Sequence, residues 1–67
     1  MTFAINTHDC WGIVNVGKFQ SLEEAKIVFK TLCDDPWYRN DGMVRGVELV
    51  QDSGEGELVR IDWLSFR

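Results

Sequence analysis

Only one stretch of this chain, Ser21 to Cys33, repeats its apolar residues at the spacing of an α-helix. At about 100° per residue, Leu22, Ala25, Val28, Phe29, Leu32 and Cys33 share a stripe roughly 140° wide. Glu23, Lys26 and Lys30 lie opposite, and Ile27 points away from the stripe. Ser21 is a good N-cap, Glu24 completes a capping box, and Glu23 with Glu24 suits the positive end of the helix dipole. Asp34-Asp35-Pro36 is expected to end the helix, because proline disfavours helical geometry in the residue before it. A chain of 67 residues with one helix must bury the rest of its apolar side chains in strands.

Those strands are legible as β-branched and aromatic runs between turn residues. Trp11 to Val16 reads as one, and Phe3 to Asn6 as a shorter partner joined through Thr7-His8-Asp9. Beyond the helix, Asp35 to Gly42 reads as a loop closed by Asp41-Gly42. Met43 to Gln51 and Leu58 to Phe66 then form two strands around Asp52-Ser53-Gly54-Glu55-Gly56-Glu57, whose glycines and small polar residues suit a hairpin. The expected fold is α+β: one domain over residues 1–67, a small antiparallel sheet of three or four strands, and one helix on one face. Its order is ββαββ, or βαββ if the first strand fails.

Each strand carries apolar residues on both faces. By alternation Val14 and Val16 oppose Trp11 and Ile13, and Val47 and Leu49 oppose Val44 and Val50. Val59, Ile61 and Trp63 oppose Leu58, Arg60, Asp62, Leu64 and Phe66. A single helix covers one side only, so the other is expected to present an apolar patch of the kind that marks an interface.

Hydrophobic residues make up 45% of the chain, with three Trp and four Phe, enough to exclude a disordered chain. The net charge of −4 and the scattered Lys and Arg argue against nucleic-acid binding, which draws on a basic stripe. No apolar run is long enough to span a bilayer, so no membrane insertion is expected. Met1-Thr2-Phe3-Ala4-Ile5-Asn6 has neither the basic start nor the apolar stretch of an export signal, and there is no N-x-[ST] sequon. A cytoplasmic location follows as the expectation, with Cys10 and Cys33 as free thiols.

Motifs that resemble catalytic chemistry break at the residues the chemistry needs. Gly12-Ile13-Val14-Asn15-Val16-Gly17-Lys18 matches most of a phosphate-binding loop, but Phe19 replaces the Ser or Thr that would hold magnesium. His8, Cys10 and Cys33 offer one His-x-Cys pair without the paired short spacings of a structural zinc site. A Cys–His nucleophile would need an orienting group and an oxyanion site that nothing here specifies. The carboxylates Asp34, Asp35, Asp41, Asp52, Glu55 and Glu57 read as turn residues. No catalytic residue and no cofactor is expected. The segment Val14-Asn15-Val16-Gly17-Lys18-Phe19-Gln20-Ser21-Leu22-Glu23-Glu24-Ala25 resembles the strand-to-helix entry of SPOR-type peptidoglycan-binding domains. The second helix and returning strand of that fold are missing, so no function is carried over.

The remaining candidate is Asp35-Pro36-Trp37-Tyr38-Arg39-Asn40-Asp41-Gly42. Trp, Tyr and Arg dominate binding hot spots, since each joins a large contact area to a polar handle. The leading expectation is a non-catalytic interaction module, an adaptor, assembly or regulatory subunit. It would bind a protein partner or itself through Trp37, Tyr38 and Arg39, with Trp11, Leu64, Phe66 and Ile27 adding apolar area. Two alternatives are an acidic inhibitor occupying a basic site, and a thiol or metal-binding protein built on Cys10, Cys33 and His8.

Overall fold

The computed structural model describes residues 1–40 and 42–66. Six elements follow in order: β1 (Thr2–Asp9), β2 (Gly12–Phe19), α1 (Leu22–Cys33), α2 (Pro36–Asn40), β3 (Val44–Asp52) and β4 (Leu58–Ser65). The strands form one antiparallel sheet in the order β2-β1-β3-β4, with α1 on one face. This is the ββαββ arrangement expected, with a short second helix added.

α1 forms as its sequence dictates. The Ser21 hydroxyl accepts the Glu24 N–H at 3.3 Å, and the Asp34 N–H closes the far end on the Lys30 carbonyl at 3.0 Å. Its inner stripe places Ala25, Phe29 and Cys33 against Phe3, Ile5, Val47 and Leu49, the buried core. Ile5, Val47 and Leu49 are fully buried, and each contributes about 1.5–3 kcal/mol by leaving water. Ile27 stays on the outside of the helix, largely exposed.

Three corrections concern the strands and the loop. β1 is twice the length expected, so Thr7, His8 and Asp9 are strand residues and the connection is Cys10-Trp11. The segment read as an aromatic loop contains α2. Pro36 does not merely stop α1; it occupies the first position of a new turn of helix, where its missing N–H costs nothing. Asp35 caps that turn, its carboxylate accepting the Trp37 N–H at 2.9 Å. Asp41, half of the expected turn pair, lies outside the described residues.

The third correction is one of faces. The register of each outer strand shifts once, between Ile5 and Asn6 against β2 and between Leu49 and Val50 against β4. A one-residue bulge reverses the alternation beyond it. In β4 it separates residues that plain alternation grouped together. Asp62 and Leu64 pair with Leu49 and Val47 on the helix side, while Arg60 and Trp63 pair with Val50 and Glu48 on the open side. Leu64 and Phe66, expected on the uncovered face, therefore pack against the core beneath the helix.

Candidate functional site

Chain direction brings four segments to one end of the sheet: the β1–β2 turn, α2, the start of β3 and the end of β4. The Cys10 N–H donates to the Met43 carbonyl at 3.1 Å, and the Phe66 N–H to the Arg45 carbonyl at 2.9 Å. Trp11 tips the hairpin turn, which Asp9 fixes by accepting the Trp11 N–H at 2.8 Å. Trp11 is 82% exposed, and Trp37 on α2 is 63% exposed. Both side chains thus stand in water on backbone held by a neighbouring aspartate.

Tyr38 is half-buried and packs edge-on against Trp37, with ring centroids 4.9 Å apart. Arg39 is partly structural: Nε donates to the Cys33 carbonyl at 2.8 Å, and Nη2 lies 3.4 Å from Asp34 Oδ1. The guanidinium thus ties α2 to the open carbonyl end of α1. Arg39, Leu64, Ser65 and Phe66 also line an open hollow of about 300 Å3. Of the residues expected to bind a partner, Trp11, Trp37, Tyr38, Arg39, Leu64 and Phe66 all fall at this end, and Ile27 stands apart on the helix.

The open face of the sheet holds an arrangement that sequence reasoning missed. Register aligns Asn15, Asn6, Glu48 and Trp63 in one row across all four strands, flanked by Ile13, His8, Gly46 and Ser65. Asn15 Nδ2 donates to Asn6 Oδ1 at 2.9 Å, and Asn6 Nδ2 to Glu48 Oε1 at 3.0 Å. Arg60 donates from Nε and Nη2 to Glu48 Oε2 at 3.1 and 2.8 Å. His8 Nε2 stands 3.0 Å from Glu48 Oε1, an electrostatic contact without good hydrogen-bond alignment. Burial alone would push the Glu48 carboxyl up; the contacts from Asn6, His8 and Arg60 outweigh it and hold the group below its ordinary value.

Trp63 closes this row. Arg60 lies over its ring, 4.9 Å from the centroid, and the His8 ring meets it edge-on at 5.0 Å. The indole crosses β3 at Gly46, where a Cβ would stand 2.5 Å from Trp63 and 2.6 Å from the Leu64 carbonyl. Glu48 is consequently only 7% exposed, and Val50 5%, on a face that no helix covers. Arg60 and Trp63 are three apart in sequence, a spacing that plain alternation places on opposite sides. Without the bulge between them no signal in the chain joins them.

The thiols stand in contrasting settings. Cys10 is exposed at the hairpin turn, and Cys33 is buried in the core. Burial, reinforced by the Asp34 and Asp62 carboxylates, pushes the Cys33 thiol up. Among the described residues no group of three His, Cys, Asp or Glu side chains is placed to share a metal ion. No helix among them is long and apolar enough to cross a membrane.

Comparison with models of protein families, with curated proteins and with solved structures gave no match. The fold itself defines the class, a small antiparallel α+β sheet with one principal helix.

Proposed function

We propose that this chain is a non-catalytic protein-interaction module, serving as an adaptor, assembly or regulatory subunit. It acts by burying aromatic surface against a protein. The observation that carries the reading is the exposure of Trp11 and Trp37 on a hairpin turn and a capped helical turn at one end of the sheet. Neither ring supports the core, so their cost to solubility is unexplained by folding. Burying one large aromatic contributes on the order of 2–3 kcal/mol before ordering costs, and two such anchors suffice for micromolar binding.

Trp11→Ala and Trp37→Ala are the informative variants, since Arg39 also ties α2 to α1. The test is affinity capture from native cells, read by mass spectrometry, with wild type and the double variant side by side. The double variant should lose its specific partner while its thermal midpoint stays within a few degrees. Equal capture by both proteins would overturn the reading. Capture that vanishes at physiological salt would favour the acidic-inhibitor alternative, because charge-driven contacts are screened and aromatic burial is not.

A further inference from the structure

We infer that the open sheet face is a self-association surface on which a second copy of this chain packs sheet to sheet. The inference rests on the interaction-module reading and gives a second, separate surface its occupant.

The first observation is the state of the polar groups on that face. An exposed sheet face can leave its polar side chains to water. Here Asn15, Asn6, Glu48 and Arg60 satisfy one another across four strands, and Trp63 already shields Glu48. Covering polar groups is costly only when they lose partners, so the Asn15–Asn6–Glu48–Arg60 row can be dehydrated at little cost, while His8 Nε2 beside it already lacks a hydrogen-bond partner.

The second observation is charge. The central rows hold Lys18, Arg60, Glu48 and, at the end of β3, Asp52, which sum to zero with His8 neutral. The net charge of −4 therefore sits on the helix, turns and opposite face. Two copies meeting through this face bring neutral surfaces together, and no oppositely charged partner is needed. The apolar rim that remains, chiefly Ile13 and Leu58 at 63% exposure each, is what a like surface would cover.

The third is size. Four strands about 4.8 Å apart and eight residues at about 3.3 Å give a face of about 500 Å2 in projection. Two copies would bury about 1,000 Å2, the lower bound for a specific interface, so a weak, reversible dimer is expected. Both edge strands are bulged, which blunts growth by edge pairing and leaves the face as the closed, two-copy route.

Sedimentation equilibrium over a wide concentration range tests this with wild type, Ile13→Asp/Leu58→Asp, and Trp11→Ala/Trp37→Ala. Wild type and the tryptophan variant should dimerise alike, and the aspartate variant should raise the dissociation constant by about tenfold or more. Added salt should leave the dimer intact or tighten it. A wild type that stays monomeric at about 100 μM would overturn the inference, as would a dimer untouched by the aspartates. A monomer that still captures a partner through Trp11 and Trp37 overturns this inference alone. A dimer that captures nothing overturns the aromatic-end reading alone.

Discussion

At the scale of single residues, Glu48 shows how a charge survives on a thin sheet. It has hydrogen bonds from Asn6 and Arg60, His8 Nε2 at 3.0 Å, and almost no water. Its carboxyl is held below the ordinary value, so its stabilising effect is fully present above the unfolded value and is lost as pH falls through the folded one. The thermal midpoint of wild type should fall on acidification through the carboxylate range, and that of Glu48→Gln should fall less. Arg60 is half exposed, so the neutral variant should cost only about 1–2 kcal/mol at neutral pH. A parallel acid limb in both proteins would assign the effect to other carboxylates. Gly46 is the complementary case, a residue chosen for what it lacks. Gly46→Ala would force Trp63 off β3 and crowd the Leu64 carbonyl, costing about 1–3 kcal/mol in denaturant titration. An unchanged midpoint would show that the indole does not lie there. The cysteines differ as sharply. A native thiol assay should modify Cys10 quickly and Cys33 only after unfolding; rapid reaction of both would contradict the packing of α1.

At the scale of elements, legibility followed the regularity of the local pattern. α1 could be read to within a residue because its stripe, cap and terminating Asp-Pro agree with one another. The strands could be read as elements, since β-branched runs and glycine turns mark them, but their faces could not. Period-two reasoning holds only while the ladder is unbroken, and register shifts in β2, β3 and β4 break it. Leu64 and Phe66 were misplaced for that reason, and the Glu48 row stayed invisible because it needs partners 42 and 12 residues apart in the chain. Trp37, Tyr38 and Arg39 were legible as unusual composition, yet the helical turn of α2 was not. Proline at a first helical position and proline after a helix look alike in sequence when both are true of Pro36. The cap of α1 can be tested directly: Ser21→Ala should cost about 1 kcal/mol, and Ser21→Asp should restore most of it. Equal midpoints for all three would mean the helix is held by packing alone.

At the scale of the whole molecule, one consequence of a one-sided core dominates. The largest fully buried side chains, Ile5, Val47 and Leu49, all lie between the sheet and a single helix. A domain of this size holds a net stability of only a few kcal/mol, and Leu49→Ala would remove about 2–5 kcal/mol of it. That variant should be substantially unfolded in dilute solution. Its behaviour on concentration then separates two accounts of the open face. If copies pair through that face, association favours the folded state by mass action, and the midpoints of wild type and Leu49→Ala should climb with protein concentration. Ile13→Asp, placed on the same face but outside the core, should abolish the climb and leave the dilute midpoint nearly unchanged. If the sheet is self-sufficient, no midpoint will depend on concentration, and the Arg60–Trp63 cover over Glu48 is all the second layer this fold requires. Calorimetry or circular dichroism across a hundredfold dilution range distinguishes these outcomes, because a unimolecular transition has no way to register how crowded its solution is.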